Sequence, residues 1–112
     1  MTDAEVESEI AWVPLTSSYY WQGEMKKVLI GGNKLKVDAE QAIFDSGSSL
    51  THIPSSDYAD LIASITAGQE CYERETDIFC KCTGIDDDSF PTLYLFIGTH
   101  SFKFESKYYL MI

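Results

Sequence analysis

One acidic residue stands out because of the residues on either side of it. Asp45 follows three apolar residues, 42–44 (AIF), and precedes four small ones, 46–49 (SGSS). Gly47 lets the backbone approach closely, so its N–H can donate to the carboxylate, and the Ser48 hydroxyl can donate to the outer oxygen. The pattern predicts an aspartate held charged and oriented at the end of a strand. An ordinary Asx or Ser turn is the alternative.

The three cysteines, Cys71, Cys80 and Cys82, lie close together in the sequence. An odd number leaves at least one of them unpaired within the chain. A zinc site that adds His52 or His100 is the alternative, but the spacing in "CKC" is shorter than that of a zinc knuckle. We therefore expect no metal site at the cysteines.

A run of acidic residues at 85–88 (IDDD) is a further group of possible oxygen ligands. A calcium site needs more oxygen ligands, at set spacings, than this run supplies. We interpret the run as a solvated acidic loop, and we expect the protein to need no metal or other cofactor.

The composition is that of one folded domain, since domains commonly have about 100–150 residues and this chain has 112. Hydrophobic residues make up 45% of the chain, too many for a disordered acidic tail. The net charge of −10 repels nucleic acid and anionic membrane surfaces, so we expect neither as a partner. No apolar run approaches the roughly 20 residues of a membrane helix, and the start is acidic, unlike a signal peptide.

After a charged lead at residues 1–9, most of the chain has the composition of short strands. Gly and Asn in "GGNK" predict a hairpin turn at residues 31–34. Residues 102 and 104, both Phe, alternate with polar neighbours as in a half-buried strand. The predicted strands cover residues 10–15, 26–30, 35–37, 41–44, 92–97, 101–104 and 108–112.

One helix is predicted after Pro54. Ser55 or Ser56 is a natural N-cap, and Asp57 suits the positive end of the helix dipole. Gly68 ends the pattern. The apolar residues at helical spacing, which should pack on the sheet, are Tyr58, Leu61, Ile62 and Ile65.

The segment around Asp45 resembles a family signature. Residues 42–62 (AIFDSGSSLTHIPSSDYADLI) are similar to the second catalytic signature of the pepsin-like aspartic proteases, in which D-[ST]-G-[ST]-S follows apolar residues and precedes a helix. Residues 12–32 (WVPLTSSYYWQGEMKKVLIGG) look like the strand pair that opens the family's C-terminal lobe. Residues 82–112 are similar to its series of cysteine, Leu/Phe-Pro, strand, Gly turn, strand and Tyr-Leu.

This resemblance implies a mainly β fold. The expected architecture is one lobe of the pepsin-like acid protease fold, with short antiparallel strands and one or two short helices. The lobe would span residues 10–112 and be incomplete at its C-terminal end. The implied activity is that of an aspartic endopeptidase acting on peptides or proteins at acidic pH.

The resemblance also assigns roles to residues. Asp45 would be one of two catalytic aspartates, and the Ser46 hydroxyl would cross-brace the two active-site loops. Gly47 and Ser48 would hydrogen-bond the carboxylate.

Two further residues would contact the substrate. Ser49 would face the substrate backbone, and Tyr20 would line the cleft on the leaving-group side. Trp21 would pack in the core.

The resemblance implies a partner as well, because the other catalytic aspartate belongs to an N-terminal lobe that this sequence does not contain. Cys82 best matches a family cysteine that pairs beyond residue 112, which leaves Cys71 and Cys80 to pair locally, with Cys71–Cys82 as the alternative. Oxidising surroundings follow in either case, as in a secreted or a lysosomal or vacuolar enzyme.

Two rival functions remain open. A retroviral-type aspartic protease would complete the pair of aspartates by homodimerisation, with residues 95–98 (LFIG) as its hydrophobic-hydrophobic-Gly segment. The other rival is a lobe that binds peptides without chemistry, or the product of a degenerate gene.

Overall fold

The structure is a computed structural model that describes residues 10–75, 77–84 and 86–111. The charged lead at 1–9 and residues 76, 85 and 112 lie outside the described residues. The elements in chain order are β1 (Gln22–Ile30), β2 (Asn33–Leu35), β3 (Gln41–Ile43), α1 (Ser55–Ile65), β4 (Cys71–Arg74), β5 (Asp77–Cys80), β6 (Leu93–Ile97), β7 (His100–Phe104) and a 3-10 helix (Ser106–Tyr108).

The main sheet is antiparallel and has the strand order β2-β1-β6-β7. The first three residues of β1 pair with β3, and its last three pair with β2. A bulge between Met25 and Lys27 separates these two halves. Strands β4 and β5 form a separate hairpin. Strand β1 therefore links β3, which leads to Asp45, to the rest of the sheet.

The buried core of the described residues is small and lies on one face of this sheet. Val28, Ile30 and Ile97 point to that face, and Phe90, in the loop before β6, is also buried. Gly23 brings the segment before β1 against the sheet. A Cβ at this position would lie 2.9 Å from a methyl carbon of Val13 and 3.0 Å from one of Ile97. Only glycine fits that approach without displacing a neighbour.

The hairpin turn and four of the predicted strands are confirmed, at residues 26–30, 41–44, 92–97 and 101–104. Gly31 takes the left-handed conformation (φ 66°) between β1 and β2. Strand β2 is Asn33–Leu35, so it shares only Leu35 with the predicted strand at 35–37, and residues 33–34, predicted as part of the turn, belong to the strand.

Two other predicted strands are wrong. Residues 10–15 pair with no strand in the described structure, where Pro14 lacks the N–H that a ladder needs. Tyr108 is the last residue of the 3-10 helix, residues 109–111 follow it, and the Tyr109 hydroxyl donates to the Pro91 carbonyl. The hairpin β4–β5 is not predicted, because its polar strands of four residues give little periodic signal.

The predicted helix is confirmed as α1, but its start differs from the prediction. The N-cap is Pro54, and neither serine side chain caps the helix. The Asp57 carboxylate is 3% exposed and accepts hydrogen bonds from the backbone N–H groups of Asp38 (2.6 Å) and Ala39 (2.9 Å). Leu61, Ile62 and Ile65 are half-buried, whereas Tyr58 is exposed. The helix is therefore attached to the loop before β3 by a polar anchor, and its apolar stripe is only partly covered.

Candidate active site

Asp45 lies just beyond the end of β3, where the chain leaves the sheet. The pairing of β3 with β1 continues one residue further, since the Phe44 N–H donates to the Trp21 carbonyl at 2.8 Å. Asp45 follows directly and is exposed to solvent. The strand pairing thus places the carboxylate just beyond the end of β3, as the sequence predicts for this acidic residue.

The turn after Asp45 holds the carboxylate through the backbone. The Gly47 N–H donates to Asp45 Oδ1 at 2.9 Å, and the Ser48 N–H donates to the Asp45 carbonyl at 3.2 Å. A Cβ at residue 47 would lie 3.1 Å from the same Oδ1, so glycine leaves room for the contact. A hydrogen bond from a backbone N–H fixes the orientation of the carboxylate that accepts it.

The hydroxyl contact predicted for Ser48 is wrong. This hydroxyl donates to the Leu50 carbonyl at 2.7 Å, which closes the turn on itself instead of reaching the carboxylate. Ser46 and Ser49 are exposed on either side of this turn. Among the described residues, no other carboxyl group hydrogen-bonds to Asp45.

A loop of aromatic residues precedes β1 and lies beside the Asp45 turn. This aromatic loop, residues 16–21, is closed because the Thr16 N–H donates to the carbonyl of Gln22, the first residue of β1, at 2.9 Å. Gln41 of β3 joins the closure: its Oε1 accepts from the Thr16 hydroxyl (2.6 Å) and from the Gln22 side chain (3.2 Å). Three polar side chains thus fix the aromatic loop to the strand that leads to Asp45.

The register of β1 and β3 sets the position of Tyr20. Gln22 pairs with Ile43, so Tyr20 and Asp45 leave the strand pair on neighbouring segments. The Tyr20 side chain is 61% exposed, and that of Trp21 is 73% exposed. The prediction that Trp21 packs in the core is therefore wrong among the described residues, because its backbone continues the ladder while its ring projects outward.

Large apolar side chains surround this turn without being covered. Ile43 and Phe44 lead into it and Leu50 follows it, and all three are about half exposed. Together with the aromatic loop they make an apolar surface beside a charged carboxylate. Such a combination marks a binding surface more often than an inert one.

The polar side chains that hold the site cannot be identified from the sequence. The partners of Gln41 lie 19 and 25 residues before it, and the partners of Asp57 lie 18 and 19 residues before it. Contacts at such separations leave no periodic or motif signal in one sequence.

The cysteines form one disulfide, between Cys71 and Cys80 on facing strands of the β4–β5 hairpin. The local pairing is therefore correct, and the alternative Cys71–Cys82 is wrong. Cys82 is a free, half-buried thiol.

The acidic loop is more ordered than a purely solvated run. Asp87 accepts hydrogen bonds from the Ser89 hydroxyl and from the N–H groups of Thr83 (3.0 Å) and Ser89 (2.9 Å), while Asp86 and Asp88 are exposed. These donors, the Ser89 hydroxyl first, lower the pKa of Asp87 to about 2. Within the described ranges, no group of three or more His, Cys, Asp or Glu residues could hold a metal ion. No described helix is long and apolar enough to cross a bilayer.

The fold and the site define the class of protein: a mainly antiparallel β unit with one helix, carrying an aspartate in a D-S-G-S turn. A family model described as eukaryotic aspartyl protease matches residues 1–112. The chain belongs to this family, and its architecture is consistent with one lobe of the pepsin-like fold.

Several curated proteins are similar to this chain. Gastricsin of Homo sapiens is 30% identical over 105 residues, which cover 92% of this chain and 26% of gastricsin. Cathepsin E-B of Xenopus laevis is 29% identical over 104 residues, or 92% of this chain and 25% of that protein. Embryonic pepsinogen of Gallus gallus is 33% identical over 64 residues, or 56% of this chain and 17% of that protein.

The chain spans about a quarter of the length of the gastricsins that it matches. The comparison with solved structures gives no match.

Proposed function

We propose that residues 10–112 are most of the C-terminal lobe of an aspartic endopeptidase and that Asp45 is one of its two catalytic aspartates. The observation that carries this proposal is the Asp45 turn itself. In a chain of this family, an exposed carboxylate leaves β3 and is oriented by the Gly47 N–H at 2.9 Å. Gly47 and Ser48 shape the turn, and Ser46 remains available to brace a second active-site loop.

The chemistry requires a second carboxylate from another lobe. Two aspartates about 3 Å apart cannot both ionise, so they share one proton. The charged member then removes a proton from a water molecule as that water attacks the peptide carbonyl, and the protonated member donates to the carbonyl oxygen. A single carboxylate cannot fill both roles, and the apparent pKa values belong to the pair.

The uncovered apolar surface supports an active site shared between two lobes. Ile43, Phe44 and Leu50 would be covered by the N-terminal lobe or by a bound peptide. In this arrangement Ser49 would contact the substrate backbone, and Tyr20 would line the cleft on the leaving-group side.

The cysteines support an oxidising location. The Cys71–Cys80 disulfide fits an extracellular or lysosomal compartment. We assign the enzyme to a secreted or a lysosomal or vacuolar setting, where the acidic pH keeps one proton on the pair. Cys82 would pair with a cysteine beyond residue 112.

A chimera tests the proposal. This chain would replace the aligned 105-residue segment of human gastricsin, and peptide cleavage would be followed from pH 3 to 7. Cleavage should occur at acidic pH, fall by about 10²–10⁴-fold in Asp45→Asn and remain in the matched control Asp88→Asn, an exposed aspartate of the acidic loop. A folded, active chimera that tolerates Asp45→Asn would contradict the proposal.

The isolated chain distinguishes the proposal from the homodimeric rival. It should not cleave peptides by itself, because Asp45 has no second aspartate. Cleavage that follows a dimer in solution and disappears in Asp45→Asn would instead identify a homodimeric protease.

A further inference from the structure

The outer face of the main sheet differs in character from the rest of this acidic chain. Residues that pair directly across antiparallel strands point to the same face. One such row is Lys34–Leu29–Tyr94–Lys103, across β2, β1, β6 and β7, and the neighbouring row is Lys27–Phe96–Ser101. The opposite face carries the core residues Val28, Ile30 and Ile97. We call the outer face the lysine face and define it by Lys27, Leu29, Lys34, Tyr94, Phe96, Ser101 and Lys103.

The lysines of this face have no acidic partner among the described residues. The ion pair of the described residues lies elsewhere, beside the β4–β5 hairpin, where Lys81 pairs with Glu70. Lys27 lies over the Phe96 ring, with Nζ 4.3 Å from the ring centroid. This cation–π contact holds the ammonium group at the sheet surface but does not neutralise it. Three cations thus share one face of a chain whose net charge is −10.

The lysine face borders an edge of the sheet. In the strand order β2-β1-β6-β7, the strand β7 is at the edge, so its outer backbone groups have no strand partner in the described structure. Along β7, Ser101 and Lys103 point to the lysine face, and Phe102 and Phe104 point to the other side. Such an edge offers main-chain hydrogen bonds to an added strand.

We infer that the lysine face and the β7 edge bind an extended polypeptide segment in which acidic residues alternate with apolar ones. The added strand would lie about 4.8 Å from β7, with its carboxylates beside Lys103 and Ser101 and its apolar side chains beside Phe102 and Phe104. This surface lies on the half of β1 that does not pair with β3, so it is separate from the Asp45 turn.

Charge favours a polypeptide over a polyanion such as nucleic acid. At physiological ionic strength the Debye length is about 8 Å, so an acidic segment paired with β7 is attracted mainly by Lys103, and Lys27 and Lys34, on β1 and β2, act on it more weakly. Lys34 and Lys103 are three strand spacings apart, about 14 Å, so the cationic area is small. A long polyanion would extend beyond this area and meet the acidic remainder of the chain.

A labelled peptide with the sequence Glu-Val-Glu-Val-Glu-Val tests the inference. Fluorescence anisotropy would follow its binding to the whole chain at pH 7 in 150 mM salt. Binding should weaken at least tenfold in Lys27→Glu/Lys103→Glu and less than twofold in the control Lys81→Glu, which makes the same change of charge per residue elsewhere. A peptide of the same composition in blocks, Glu-Glu-Glu-Val-Val-Val, should bind at least fivefold more weakly.

Three results would overturn the inference: no binding of the alternating peptide, equal losses in the Lys81 control and the lysine-face variant, or tighter lysine-dependent binding of a sulfated oligosaccharide or of anionic vesicles. The neutral variant Lys34→Gln/Lys103→Gln changes only exposed side chains, so it repeats the test if charge reversal disturbs folding.

Discussion

Replacing Asp57 by alanine is expected to remove a large part of the stability of the fold. Its buried carboxylate accepts two backbone N–H groups, from Asp38 at 2.6 Å and Ala39 at 2.9 Å. A hydrogen bond to a charged group contributes about 1.5–3 kcal/mol, so the pair is worth about 3–6 kcal/mol if the two are additive. Because both bonds share one carboxylate, we expect about 3–5 kcal/mol.

The matched control is Asp60→Ala in the same helix. Asp60 is exposed, and its side chain makes no described hydrogen bond, so its loss should change stability by about 0.5 kcal/mol or less. Asp57→Asn keeps one acceptor oxygen and should fall between the two alanine variants.

Urea denaturation at pH 7, followed by far-UV circular dichroism, measures all three variants. Hydrogen exchange at the amides of residues 38 and 39 shows whether protection is lost at the predicted place. A free energy of unfolding for Asp57→Ala within 1 kcal/mol of that for Asp60→Ala would refute the reasoning.

Three further predictions concern other parts of the chain. The pKa of Asp87 is about 2 in the folded chain and 3.8 in the unfolded chain, so its ionised carboxylate stabilises the fold above pH 3.8, and this stabilisation is lost as the pH falls to about 2. Thermal melting from pH 2 to 5 should show the loss in the natural chain and in Asp88→Asn, but not in Asp87→Asn. Gly23→Ala should destabilise by about 1–3 kcal/mol in urea denaturation, whereas Gly32→Ala, which meets nothing within 4 Å, should change stability by under about 1 kcal/mol. Cys80→Ser opens a disulfide across a sequence separation of 9 and should lower the free energy of unfolding by about 2–3 kcal/mol, and equal urea midpoints with and without reductant would contradict this value.

The parts of the fold that sequence reasoning predicts are those encoded by neighbouring residues. Strands β1, β3, β6 and β7 carry β-branched and aromatic runs, Gly31 supplies the left-handed turn, and the helix follows Pro54. The position of Asp45 at a strand end belongs to this group, because apolar residues before it and small ones after it are a local pattern. The Gly47 contact follows from the same pattern.

The features that the sequence does not predict depend on contacts between distant residues. The aromatic loop is fixed by Gln41, and the helix is anchored by Asp57, in each case through partners about 20 residues away. The Ser48 hydroxyl donates to the Leu50 carbonyl, and the residue types alone do not distinguish this acceptor from the Asp45 carboxylate. The exposure of Trp21 depends on which face of the β1–β3 pair its ring points to, and the register of the two strands sets that face.

The anchor at Asp57 has a consequence for how the segment around Asp45 can vary. Its carboxylate returns to the backbone 19 residues earlier, so the stretch from residue 38 to residue 57 is a closed ring with Asp45 near its middle. Unlike the disulfide, this closure does not depend on redox conditions. Doubling the length of such a ring adds only about 0.6 kcal/mol of closure entropy. Residues 51–53, between the Asp45 turn and the start of the helix, can therefore accept insertions and substitutions, which would reshape the surface near Asp45 while β3 and the helix stay attached to each other.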